Sequence, residues 1–332
     1  MIGWLVAIVL VAVAAAELAV RRFERRLPLF RFWHDQLTTG KWHQLRRLRR
    51  GPRVDVVVAG SSQALMALDP QRLVAPPARC YNAALYRGVP TVMTDWLESV
   101  VLPATRPRLV VWGVSILDLN DNGLFHRDVL ERYLASPARR RDPVSRAVTW
   151  FRVHSSLARR ARLLRRPAAL ARALDRPDDR DGTGKPLDEL LGPMGKGLEY
   201  VAFDTYRLSP EKEAFIRDKI VNGFSMGGEQ LEALRRGIEA VRAFGSDVLL
   251  LEMPFTEEFT DMYPRREADV ARSRSLLDGV ARDLGVRFVT CDGEDLPPGW
   301  FADCVHLNGV GMRAWSDDVA TVVVGDALGA AR

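Results

Sequence analysis

Two short stretches, far apart in the chain, carry the residue types of a serine nucleophile system: Gly60-Ser61-Ser62 near the front and Asp303-Cys304-Val305-His306 near the end. A histidine three residues after an aspartate, in a loop just ahead of a helix, can act as a base held by a carboxylate. The early serine sits where an apolar run gives way to a helical pattern. Taken alone, each stretch has a plainer alternative: Ser61 or Ser62 capping a helix, and Asp303 capping another beside a surface His306. The remaining histidines, His34, His43, His126 and His154, have no comparable setting.

The elements that must bring these stretches together follow from the apolar periodicity. Strands are expected over residues 54–59, 79–82, 109–112, 248–252 and 286–290, and helices over 62–73, 91–102, 229–244, 266–284 and 310–328. Strand–helix alternation of this kind implies a parallel sheet covered on both faces. The expected fold is therefore α/β, a three-layer α/β/α sandwich with a five-stranded, flavodoxin-like parallel sheet. Sites in such sheets lie at the carboxyl ends of the strands. Ser62, Gly113, Pro254 and the Asp303 loop all follow strand ends or lie near them.

The alternation breaks over residues 124–226, arginine-rich and helical at 143–174, then glycine- and proline-rich and irregular at 177–197. Gly184-Lys185 and Gly195-Lys196 lack the upstream glycine and the following Ser/Thr of a phosphate loop. This insertion reads either as a cap or partner surface beside the site or as a solvent-facing linker. Three cysteines without CxxC spacing make no disulfide framework, and no Cys/His cluster has zinc-ligand spacing, so neither a metal nor a cofactor is expected.

Residues 1–22 read as a transmembrane anchor, 23–53 as a basic juxtamembrane linker, and 54–332 as the enzyme-like domain. The first segment is apolar from residue 2 to 20 apart from Glu17, nearly enough for a bilayer core of about 30 Å at about 1.5 Å per residue. No charged region precedes it and no small-x-small cleavage site follows, which favours an uncleaved anchor over a signal peptide. The net charge of +6 comes largely from arginines at 21–53 and 139–180. Such runs are solvated faces or attract anionic lipid headgroups. Nucleic acid is not an expected partner, since no motif or aromatic stacking platform accompanies the charge. By the positive-inside rule, arginines following the anchor put the soluble part in the cytoplasm.

The motifs and their order resemble the SGNH (GDSL-like) hydrolase superfamily over about residues 54–123 and 229–325. Val58-Ala59-Gly60-Ser61-Ser62-Gln63-Ala64-Leu65 is similar to the family's Gly-x-Ser turn, with Ser61 in place of the usual aspartate. The resemblance implies Ser62 as nucleophile, its backbone N–H as one oxyanion donor, His306 as base and Asp303 as the group that orients it. Tyr81-Asn82-Ala83-Ala84-Leu85 is similar to the family's Asn-x-Gly stretch, with Ala84 where a glycine N–H would meet the oxyanion and Gly88 further on. Gly113 to Asn122 stands where the family has Gly-x-Asn-Asp. There Ser115 takes the asparagine's place, and Asn120, reaching back from the loop, is the other candidate donor. Turn chemistry is the alternative for that stretch.

The resemblance further implies a membrane-anchored serine esterase or O-acyltransferase of the cell envelope, acetylation being one such transfer. It would take an acyl ester or acyl donor and a glycan or envelope-polymer acceptor, beside a membrane-bound acyl-transfer partner. Its soluble domain would be extracytoplasmic, against the arginine bias. The competing expectation is a non-catalytic SGNH-like module that binds glycan or scaffolds a membrane assembly.

Overall fold

A computed structural model describes residues 2–24, 26–27, 30–140, 142–175, 187–203, 205–291 and 296–321. The chain divides into two compact units, one joining Met1–Thr39 to Arg132–Leu187 and the other joining Gly40–Glu131 to Asp188–Arg332. The insertion expected at 124–226 is thus shared between them. Gly184-Lys185 and the end of the final expected helix, residues 322–328, lie outside the described residues.

The second unit holds an all-parallel five-stranded sheet with helices on both sides, in the order β2-β1-β3-β4-β5. Its strands are β1 (Val56–Gly60), β2 (Cys80–Asn82), β3 (Leu109–Val114), β4 (Asp247–Glu252) and β5 (Arg287–Val289). The central strands are buried along their whole length or nearly so. That is why Val-Val-Val-Ala and Leu-Val-Val-Trp read as continuous apolar runs and not as alternations. Register places Gly60 beside Gly113 and Val114 beside Glu252, so β1, β3 and β4 end at one edge.

The helix Glu229–Ala243 covers the sheet through Leu231, Leu234, Ile238 and Val241, at the spacing of one helical face. Gly237 lets it approach: a Cβ there would meet Trp112 Cη2 at 2.4 Å and Thr94 Oγ1 at 2.5 Å. The helix after β1 is shorter than its pattern suggests, Ser62–Ala67. Pro70 disfavours helical geometry at residue 69, and Asp69 turns the chain by accepting from Gln71 N at 3.0 Å.

Within the first unit the apolar helix Ile2–Glu24 includes a stretch, Gly3–Glu24, long and apolar enough to cross a membrane. The 143–174 helical pattern forms three helices, Pro143–His154, Ser156–Leu164 and Pro167–Asp175. Ser155 caps the second of them, accepting from Ala158 N at 3.0 Å, and Pro167 opens the third. Trp33 and Tyr133, both buried, stack with ring centroids 5.2 Å apart.

Replacing Gly237 with valine should cost about 1–3 kcal/mol through overpacking against Trp112, read as a lower urea midpoint at unchanged slope. Gly279→Ala, where a Cβ meets nothing within 4 Å, should leave stability unchanged or raise it by up to about 1 kcal/mol.

Candidate active site

β1 ends on Gly60, whose φ of 136° favours glycine. A Cβ there would lie 2.4 Å from Gly113 O and 2.8 Å from Ala64 Cβ, so the turn can press against β3 only without a side chain. Ser61 follows in extended geometry as the helix N-cap but makes no side-chain cap. Ser62 is the first helical residue, where backbone N–H groups have no intrahelical acceptor. Beneath it Asn82 is fully buried and donates to the carbonyls of Ala64 at 3.1 Å and Leu68 at 2.9 Å, fixing the short helix against β2.

The C-terminal loop brings the partner groups to this turn. Ser62 Oγ lies 2.9 Å from His306 Nε2, and His306 Nδ1 lies 2.9 Å from Asp303 Oδ2. A carboxylate can only accept, so Nδ1 carries the proton and Nε2 is left to accept from the serine hydroxyl. Asp303 Oδ1 also accepts from the backbone of Val305 at 2.9 Å and of His306 at 3.0 Å. The sequence-expected Ser62, Asp303 and His306 therefore meet, although the serine and the histidine are 244 positions apart.

Two groups from the insertion join them. Lys212, near the start of the helix Pro210–Phe215, forms an ion pair with Asp303 Oδ2. Tyr200 stacks on the His306 ring at 4.8 Å with planes 19° apart, and the Lys212 ammonium lies 5.5 Å from the Tyr200 ring centre. Neither residue has a sequence signal, since both sit in a segment without motif or periodicity. Burial alone would raise the Asp303 carboxyl, but the charge and hydrogen bond of His306, then those of Lys212, hold it below the ordinary aspartate range. Burial first, and Asp303 second, push the Cys304 thiol up to about 12, so it stays protonated. Cys80, Cys291 and Cys304 are all buried. Burial keeps His126 neutral, pushed down to about 4.

The four candidate oxyanion or substrate-binding residues are engaged elsewhere. The Ala84 N–H donates to Asn82 Oδ1 at 3.1 Å, and the Gly88 N–H to the Leu85 carbonyl at 3.1 Å. Ser115 Oγ donates to Gln63 Oε1 at 2.5 Å. Asn120 spends its amide on the Ile220 carbonyl at 2.5 Å and accepts from Asn122 N at 3.1 Å. Asp118 accepts from Ser115 N at 2.9 Å and is pushed up to about 6, by burial, against the pull of Ser115 and Ser61. Ser61 Oγ helps to hold that carboxyl down although it lies outside hydrogen-bond geometry.

No family model matches the chain, and no curated protein matches it. Among solved structures it is similar to a "putative acylhydrolase" from Bacteroides fragilis, at 10% identity and a TM-score of 0.43, covering 86% of this chain and 95% of that one. It is also similar to a "putative platelet activating factor" from Streptococcus pneumonia, at 12% identity and a TM-score of 0.42, covering 86% and 91%. At these superposition scores neither likeness bears on the activity of this chain.

Because Asp303 is depressed in the folded chain, its stabilising share is full above the unfolded value near 4 and is lost as pH falls through the folded value. Lys212→Met should make the protein less stable at neutral pH and start its acid unfolding at higher pH, while Lys212→Arg keeps the wild-type profile. Fluorescence-monitored unfolding across pH checks this. Superimposable profiles for wild type and Lys212→Met would mean the ammonium does not hold the carboxylate.

Proposed function

We propose that this chain is a serine-dependent O-acyl esterase or acyltransferase of the SGNH kind, working through an acyl-Ser62 intermediate. The observation that carries this is the 2.9 Å contact between Ser62 Oγ and His306 Nε2, with the opposite ring nitrogen held on a buried carboxylate. Ser62 Oγ attacks the acyl carbonyl while its proton passes to His306 Nε2. The imidazolium so formed is stabilised by Asp303, and it then protonates the departing alcohol oxygen. Acyl-Ser62 remains. Water, or a hydroxyl of an acceptor, then attacks with the same histidine as base, and the choice between them separates esterase from transferase. Developing charge on the carbonyl oxygen would be met by the Ser62 N–H at the open end of its helix.

The substrate class we infer is an acylated glycan or envelope polymer, acetyl being the simplest group. The supporting features are the apolar N-terminal helix, read as a membrane anchor, and the resemblance of the Gly-Ser-Ser turn to anchored envelope enzymes. That assignment carries an extracytoplasmic site, against the arginine bias that follows the helix. A second reading, a non-catalytic module that binds glycan, is favoured by one observation: the polar groups of Ala84, Gly88, Ser115 and Asn120 are already committed within the fold.

Hydrolysis of p-nitrophenyl acetate by the purified full chain distinguishes the two. Ser62→Ala and His306→Ala should each lower kcat/KM by about 10³-fold or more, and the double variant should fall no further. Equal, background-level turnover by wild type and both variants would favour the binding module.

A further inference from the structure

We infer that the helix Pro143–His154 is a membrane-surface helix, whose exposed apolar stripe lies in the headgroup region of an anionic bilayer; this rests on reading the N-terminal helix as a membrane anchor. The stripe is Val144, Ala147, Val148 and Phe151, at the spacing of one helical face, with Trp150 beside it. Val144 is 73% exposed, Trp150 56% and Phe151 58%, in a helix with no buried residue. A soluble helix turns such a face inward, whereas an interfacial one turns it to lipid, with tryptophan and phenylalanine at the boundary.

The His154 end of this helix is held by bonds inside its own unit. Glu17 of the apolar helix accepts from Ser155 Oγ at 2.8 Å, Ser156 N at 2.8 Å and Leu157 N at 2.9 Å, capping the helix Ser156–Leu164. Glu24 takes Arg159 Nε at 2.6 Å, and Arg21 donates to the His154 carbonyl at 3.0 Å. The joint between the two helices is thereby fastened to the last two turns of the apolar helix. Arg21 and Arg22 lie in those turns, and arginines so placed seek the bilayer surface. The stripe thus starts at the level of the interface.

Charge selects the occupant. Residues 142–164 carry five arginines against Asp142; Glu24 pairs with Arg159 and Arg160, and Arg146 and Arg162 are exposed. Two copies of such a face would repel, while anionic headgroups would be drawn to it.

The test uses full-length protein in vesicles of equimolar phosphatidylglycerol and phosphatidylcholine. An environment-sensitive fluorophore is attached at Val148→Cys and, separately, at Leu10→Cys. The three native thiols are buried and remain unlabelled. The expected result is that a nitroxide-headgroup lipid quenches the Val148 probe, an acyl-chain-nitroxide lipid quenches the Leu10 probe and iodide quenches neither, with the headgroup effect weaker in vesicles of phosphatidylcholine alone. Quenching at Leu10 with iodide access at Val148 would keep the anchor and overturn the surface helix. Shielding of Val148 from both quenchers would mean a protein partner covers the stripe, and equal lipid quenching in both vesicle types would remove the anionic preference; either result overturns the proposal. No lipid quenching at either position would remove the anchor reading and this proposal with it.

Discussion

The hydrogen bond between Ser62 Oγ and His306 Nε2 is the contact on which every chemical statement depends, and the fold is arranged to make it. It joins two residues 244 positions apart, so nothing local can form it. What forms it is the shared edge of β1, β3 and β4, from which the Ser62 turn leaves and beside which the C-terminal loop returns. Gly60 is a tight point of that arrangement, because any side chain there would strike the Gly113 carbonyl. Asn82 does the matching work from β2, tying down carbonyls of the short helix that begins at Ser62.

The insertion contributes more to this site than a linker would. Its later part, inside the unit that holds the sheet, reaches the Asp303–His306 pair with Lys212 and Tyr200. The same segment is clamped to the sheet by Lys41, fully buried, which donates to the carbonyls of Asn82 at 2.5 Å and Gly195 at 2.9 Å. Lys196 adds an ion pair with Asp69 at 2.5 Å. A buried ammonium needs such acceptors to offset its lost hydration, so these contacts fix the segment in one position. An Asp303 carboxylate that faces both His306 and Lys212 divides its charge between an imidazole N–H and an ammonium.

The sheet and the serine–histidine–aspartate meeting were legible because they rest on short-range patterns: continuous apolar strands, a glycine at a strand end, an aspartate three residues before a histidine. Element ends were less legible. The helix expected over 91–102 takes in Pro90 at its start, and the helical run passes Pro103 and stops at Thr105. Proline there occupies a first-turn position of the last segment, where its missing N–H is tolerated. Lys212, Tyr200 and Lys41 left no trace in the sequence, since their partners lie across the insertion and obey no spacing. Ser115 and Asn120 match turn chemistry as well as oxyanion chemistry, and in the structure their polar groups close the loop after β3. The split of the insertion between two units was equally hidden, because its arginine-rich half carries charge that does not reveal what it packs against.

The most direct measurement is covalent capture of the proposed nucleophile. Wild-type protein incubated with a fluorophosphonate and digested should yield one adduct, on the peptide at Ser62, and the His306→Ala protein should yield none. Absence of an adduct on folded wild type, or its appearance on Ser61 or Ser115 instead, would contradict the account.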